Sequence, residues 1–248
     1  GEMAGGGGAR GFGRFLDYLA VSQSLVNLDL GGNRIGGEMM GHLADALTLN
    51  QSVRWLDISG NCLGGDGGAQ LGRLLASTSG LQYVDACSNR LGDEGADFMV
   101  RQMERNTTLT ELRLGSNGTG GDGAFLLAQC VGFCEALRKV DLSRNSFDAQ
   151  AAQELGECVV AGGLTQLSTL QLSQNAIGDT GVMRLLTALG DHRGLTELNL
   201  SYCEVSDDGA PALGALAASL PALETLRFNS NRITEDGLKG LCEWLMVK

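Results

Sequence analysis

The sequence predicts an α/β solenoid, a right-handed coil of strand–helix units with a parallel β-sheet on its concave face and helices on its convex face. The first sign is period. One phrase recurs at Leu25, Val53, Leu81, Leu109, Leu137, Leu167, Leu195 and Leu223, in steps of 28 residues with a single step of 30. A fixed period of this size marks a repeat architecture, in which each unit buries its apolar edge against the next. The second sign is alternation. Within each phrase apolar residues first alternate, as a half-buried strand requires, and then recur every three or four residues, as a helix face requires. The third is punctuation: an asparagine and then a glycine separate the two patterns, as in Leu167-x-x-Leu170-x-Leu172-x-x-Asn175-x-Ile177-x-x-x-Gly181. Strands stack about 4.8 Å apart and helices about 8–10 Å apart. Such units bend when stacked, with strands inside and helices outside, into a horseshoe.

The domain organisation follows. Residues 1–10, with the run Gly5-Gly6-Gly7-Gly8, read as a flexible lead-in, and 11–248 as one solenoid. Residues 11–24 match the helical half of a repeat, and Thr234 opens a final helix. Terminal repeats normally carry polar caps. Met246 and Val247 make poor ones, so the chain is expected to be part of a longer protein or to be capped by a partner.

Aligned in order, the repeats give one lane per structural role. The inward strand pairs are Leu28/Leu30, Leu56/Ile58, Val84/Ala86, Leu112/Leu114, Val140/Leu142, Leu170/Leu172, Leu198/Leu200 and Leu226/Phe228. A one-residue slip would expose all of them, which sets the register. The turn lane is Asn33, Asn61, Asn89, Asn117, Asn145, Asn175, Cys203 and Asn231. An amide can both donate to and accept from backbone groups where the strand bends away. At Cys203 the weaker side chain predicts a local departure. Asp148, Ser206 and Thr234 are expected N-caps. Glu38, Asp66, Glu94, Asp122, Asp208 and Asp236 are expected in first helical turns, where the positive helix end favours them. Gly67, Gly95, Gly123, Gly181, Gly209 and Gly237 are expected to let helix and strand backbones approach. Two apolar lanes complete the buried helix stripe. One runs from Leu43 to Leu241; the other, from Leu47, includes Ala217 and Leu245. Ala161-Gly162-Gly163 is expected to loop out the two extra residues.

Composition excludes several function classes. The net charge of −11 opposes binding to nucleic acid, which rests on neutralised phosphates, and to anionic membrane surfaces. No window supplies the roughly 18 apolar residues of a membrane span. The seven cysteines occupy unrelated repeat positions. Cys130 and Cys158 share a lane on adjacent helices, too far apart for a disulfide. Unpaired cysteines point to a reducing, cytoplasmic setting, and the sequons at Asn50, Asn106, Asn117 and Asn199 then read as chance. His42 and His192 are several repeats apart and form no nucleophile–base pair; each is expected at the surface. Cys130 and Cys134 lack further ligands for zinc and read as buried thiols. No catalytic constellation, cofactor or metal site emerges, so the chain is read as no enzyme.

The phrase L-x-x-L-x-L-x-x-N-x-I, followed by acidic residues and G-x-x-x-L, resembles the leucine-rich repeat of ribonuclease-inhibitor-like type. Residues 81–106, with Asn89-Arg90-Leu91-Gly92-Asp93-Glu94-Gly95-Ala96, are especially similar. The resemblance covers nearly the whole chain. It implies a horseshoe that binds another protein on its concave face, a non-enzymatic scaffold. The alternative functions that the resemblance implies for this chain are a regulator of a small GTPase, similar to the Ran activator, or the sensor arm of a NOD-like receptor.

Alternation also says which side chains line the concave face. One outward lane includes Trp55, Tyr83 and Glu111; the next includes Asp29, Asp57, Asp85, Arg113 and Asp141. Tyr202 stands just beyond the strands. Asp29, Asp57 and Asp85 fall on consecutive rungs about 4.8 Å apart, where like charges repel. Tryptophan and tyrosine are frequent interface anchors. These nine residues are the expected partner-binding surface, suited to a basic protein. The plainer alternative is that the aspartates are polar filler on an exposed strand.

Overall fold

The structure, a computed structural model, describes residues 8–103, 106–161, 164–190 and 192–245. Among them, helices and three-residue strands alternate. Helix α1 spans Gly8–Val21, β1 Asn27–Asp29, α2 Gly37–Leu49, β2 Trp55–Asp57, α3 Gly64–Ser77, β3 Tyr83–Asp85, α4 Gly92–Gln102 and β4 Glu111–Arg113. Helix α5 spans Gly121–Gly132, β5 Lys139–Asp141, α6 Ala149–Ala161, β6 Thr169–Gln171, α7 Gly178–Leu189, β7 Glu197–Asn199, α8 Ala210–Ser219, β8 Thr225–Arg227 and α9 Glu235–Leu245. The eight strands form one parallel sheet in sequence order. Asn27, Trp55, Tyr83, Glu111, Lys139, Thr169, Glu197 and Thr225 lie side by side across it. Lys139 still pairs with Thr169, so the two extra residues leave the register untouched. Helix α1 begins at Gly8, three residues inside the expected lead-in. The remainder of that lead-in, Gly162, Gly163, the side chain of Leu245, Met246 and Val247 lie outside the described residues.

Between sheet and helices the inward pairs and the first helical lane form one continuous core. In α8 the second lane shifts by one residue: Leu216 is buried and Ala217 only half-buried. The cause lies at the helix start. Ser206 does not cap α8. It bridges to Arg232, and the helix begins at Ala210 after a turn, which leaves Asp208 ahead of the first turn. The departure expected near Cys203 therefore falls at the helix start. Cys203 itself stays in the ladder, with its Sγ donating to the Leu172 carbonyl at 3.2 Å.

The asparagine ladder carries the backbone as expected. Asn117 Nδ2 donates to the carbonyls of Leu114 and Ala86, and its Oδ1 accepts from the Asn89 N–H at 3.0 Å. Asn145 and Asn61 make the corresponding bonds. Just before each position of the ladder the chain turns left-handed, at Gly32, Gly60, Ser88, Ser116, Arg144, Gln174, Tyr202 and Ser230.

A second ladder was hidden one residue ahead of the expected acidic lane. Asp93 Oδ1 accepts from the N–H groups of Gly120 (2.6 Å) and Gly123 (3.1 Å), in the next repeat. Asp179 does the same for Ser206, and Asp207 for Thr234. Asp148 and Thr234 cap their own helices. The glycine lane serves this ladder. A Cβ at Gly123 or Gly209 would collide with the acid of the preceding helix, and one at Gly67 with Leu63 in its own turn. The close approach is thus helix to helix and within the turn; the expected approach of helix to strand is corrected.

His192 also departs from expectation: it is buried, whereas His42 is exposed. The His192 Nδ1 accepts from the N–H groups of Gly194 and Leu195, which leaves Nε2 to donate to the Leu164 carbonyl at 2.9 Å. Asn50 and Asn106 hold the same repeat position and likewise accept from the N–H groups two and three residues ahead while donating to a carbonyl of the preceding repeat. Three of the sequon asparagines, Asn50, Asn106 and Asn117, are buried with their amides occupied.

Candidate functional site: the concave sheet face

Because each strand contributes one buried residue flanked by two outward ones, the sheet presents two parallel rows of side chains. The row from Asn27 to Thr225 carries Trp55 and Tyr83 on adjacent rungs. Their rings stack with centroids 4.9 Å apart and planes 13° apart. Both remain half-buried. On the far side of Tyr83 the Arg113 guanidinium lies 5.3 Å from the ring centroid, a cation–π arrangement. Arg113 is held there by Glu111 at 2.6 Å and Asp85 at 3.7 Å. Asp85 Oδ2 also accepts a 3.3 Å bond from the Tyr83 hydroxyl. Burial, and then the neighbouring Asp85, push the Tyr83 hydroxyl well above its ordinary pKa, so it stays protonated. The same two causes, in the same order, raise the Cys87 thiol.

The aspartate row does two things at once. Asp29, Asp57, Asp85 and Asp141 each accept, through Oδ1, the N–H two residues ahead, at 2.8–3.0 Å. Asn199 makes the same bond in the same row. The residue type is therefore tied to the strand's exit, a structural role that the sequence reading did not assign to the row. The second carboxylate oxygen is what separates the rungs. Asp85 spends it on Tyr83 and Arg113 and is buried, while Asp29 and Asp57 stand more exposed and form no ion pair among the described residues.

Toward the other end the face becomes a mixed-charge groove of about 460 Å³. Lys139 reaches Glu111 at 4.0 Å, and Arg227 pairs with Glu197 at 2.7 Å. Gln171 donates to Glu197. Lys139, Gln171, Glu197 and Arg227 were not among the expected site residues. For Lys139, Glu197 and Arg227 the signal was opposite charges on neighbouring rungs; Gln171, uncharged, gave none. Of the nine that were, Asp29, Trp55 and Asp57 form one cluster, which joins through Tyr83 to a bonded group of Asp85, Glu111 and Arg113. Asp141 lies in the groove. Tyr202 is exposed near β7, five strands from Trp55, and belongs to neither group.

All seven cysteines are free thiols. Burial pushes Cys134 up to about 12 and Cys203 to about 11, so both stay protonated and inert at neutral pH. Among the described residues no group of acids, histidines and cysteines could hold a metal ion, and no helix is long and apolar enough to cross a membrane.

A family model described as Leucine Rich repeat matches residues 21–38, 49–72, 105–128, 164–186, 193–214 and 220–242, together just over half of the chain. The chain belongs to the leucine-rich repeat family. Its repeats are of the ribonuclease-inhibitor-like type, and the structure supplies the two units, from Leu81 and Leu137, that lie outside those matches. Human NACHT, LRR and PYD domains-containing protein 13 is 38% identical over 80 residues, which is 32% of this chain and 8% of that protein. Pig ribonuclease inhibitor is 33% identical over 81 residues, 32% of this chain and 18% of that protein. The matched stretches thus span a minor part of both relatives. Among solved structures, Leiomodin-1 Actin-Binding Site 2 aligns with a TM-score of 0.51 and 18% identity, covering 62% of this chain and 88% of that one. That likeness is one of fold.

Proposed function

We propose that this leucine-rich repeat chain is a non-enzymatic scaffold that binds a partner protein on its concave face, at the β1–β3 end. The observation that carries this reading is the half-exposed Trp55–Tyr83 stack standing beside the unpaired carboxylates of Asp29 and Asp57. Stacked aromatics at an open surface are frequent anchors. Core packing gains nothing from two unneutralised acids on adjacent rungs, and a basic partner would relieve their repulsion. The ribonuclease inhibitor, similar to this chain over a third of its length, is by its name a protein that acts on another protein. The free thiols support a reducing, cytoplasmic setting for the interaction.

The test compares affinity purification by the wild-type chain and by a variant carrying Asp29→Asn, Asp57→Asn and Trp55→Ala. Asparagine keeps the Oδ1 acceptor, as Asn199 does, so the strand exits survive. Equal urea midpoints of the two forms check this. A partner held by the wild type and released by the variant supports the reading, and equal retention of every partner refutes it.

A second reading has one supporting observation: the similarity to a NACHT, LRR and PYD domains-containing protein. In that reading the chain is the sensor arm of a NOD-like receptor. A NACHT domain encoded in the same gene would support it, and a gene without one would refute it.

A further inference from the structure

The concave face contains its own example of how it holds a cation. Arg113 covers one face of Tyr83, and Trp55 covers the other. The guanidinium is steered by two acids, Glu111 two residues earlier on its own strand and Asp85 beside it in its own row on β3. Extended one step toward β1, the series of cation, ring, ring stops at Trp55. No ring or cation covers the outer face of that indole among the described residues. Its neighbour in the row is Asn27, a short, exposed and uncharged side chain. Flanking this vacant position are Asp29 and Asp57, paired with each other across β1 and β2. Each has Oδ1 committed to a backbone N–H and keeps Oδ2 available. The outer face of Trp55 thus resembles, in chemistry though not in the positions of its acids, the face of Tyr83 that Arg113 occupies. It has an aromatic plane and two carboxylates, but no cation of its own.

We propose that this position takes one arginine side chain of the partner, its guanidinium stacked on the outer face of Trp55 and paired by Asp29 and Asp57. The proposal rests on the concave-face reading above and specifies the chemistry of its ligand. A planar guanidinium suits the slot better than an ammonium, because it can stack on an indole and present two N–H edges to carboxylates at once. The bound arginine would complete a run of guanidinium, indole, phenol and guanidinium across four rungs.

The chain has two tryptophans, Trp55 and Trp244, so a Trp244→Phe variant makes Trp55 fluorescence a local probe. It is titrated with Ac-Gly-Arg-Gly-NH2 and with the same peptide carrying citrulline, which keeps the planar shape and loses the charge. The arginine peptide is expected to quench Trp55 and to bind about fivefold more tightly than the citrulline one. In the Asp29→Asn/Asp57→Asn background that preference should vanish. Equal binding of the two peptides, or a preference that survives both asparagines, overturns the proposal. Peptides selected on the wild-type chain from a random displayed library separate this outcome from the broader one. Selected peptides lacking arginine but lost on Trp55→Ala overturn the arginine slot and leave the concave face as the docking surface. Peptides indifferent to both Trp55→Ala and Lys139→Glu overturn both.

Discussion

The two ends of the concave face share a backbone and differ in where their charge goes. At β1–β2 and at β5 alike, an aspartate accepts the N–H two residues ahead. From β3 onward, arginine or lysine neutralises most neighbouring acids: Arg113 on Asp85 and Glu111, Lys139 on Glu111, Arg227 on Glu197. Asp141 forms no ion pair of its own among the described residues, but Arg113 is its register partner on β4, whereas neither row carries a cation at β1–β2. The difference teaches that residue type alone does not identify a docking site in a repeat protein. Every rung can require the same aspartate for its turn. What remains for a partner is the charge that the repeat itself leaves unpaired.

The largest expected effects should ignore this division. Asn61→Ala and Asn145→Ala each remove a ladder amide, one from either half. Each should cost about 3 kcal/mol in urea unfolding, the cost of leaving buried backbone groups unpaired. A variant harmful in one half and harmless in the other would mean that the ladder is not a uniform support. Next comes Asp→Arg reversal. Asp57→Arg and Asp141→Arg both lose the strand-exit acceptor and should each lose about 1–2 kcal/mol of stability. Asp57→Asn and Asp141→Asn should be nearly neutral for stability, yet only Asp57→Asn should weaken partner binding in calorimetric titration. Equal weakening by both asparagines would erase the distinction between the two ends.

Smaller still is the effect of extending the acidic end. Arg113→Gln frees Asp85 and Glu111, so a basic partner should bind a few-fold more tightly at low salt. The gain should fade at about 1 M salt, where the screening length falls to about 3 Å. Unchanged salt dependence would show that Arg113 does not limit the acidic patch. The smallest effect concerns the ladder between helices. Hydrogen bonds from Thr234 hold the Asp207 carboxyl below the ordinary carboxylate range. The folded chain therefore binds this proton less readily than the unfolded one. The bond's contribution is full above the unfolded value, ordinarily about 3.9, and is lost as pH falls through the folded value. Carbon-13 carboxyl shifts should show Asp207 titrating below the ordinary carboxylate value. A midpoint at or above the ordinary value would contradict the bond.

The fold was legible because repetition amplifies weak signals. One Leu170 says little, but eight aligned positions establish a buried strand residue. The turn asparagines were legible for the same reason, and Asp148 and Thr234 were legible as caps. The late start of α8 was not, because Ser206 and Asp208 look in sequence like their counterparts Thr234 and Asp236. Ser206 and Thr234 even make the same bonds to an aspartate of the preceding repeat; what differs is where the helix begins, at Ala210 in one repeat and at Glu235 in the other. Asp93, Asp179 and Asp207 were missed because their bonds cross from one repeat to the next, and glycine or alanine fills much of that lane. His192 was misread because it stands alone as a histidine; its kinship with Asn50 and Asn106 is one of position. In the candidate site, alternation correctly assigned Trp55, Tyr83 and the aspartates to the concave face. It did not separate Asp85 from Asp57, since partners on adjacent rungs decide which acid is buried.

Hydrogen–deuterium exchange of the chain with and without its captured partner tests the docking surface most directly. Slowed exchange is predicted in segments 54–60 and 82–88, which carry Trp55, Asp57, Tyr83 and Asp85, with helices α2–α4 unchanged. Protection confined to those helices, with both strand segments exchanging as in the free chain, would contradict the account.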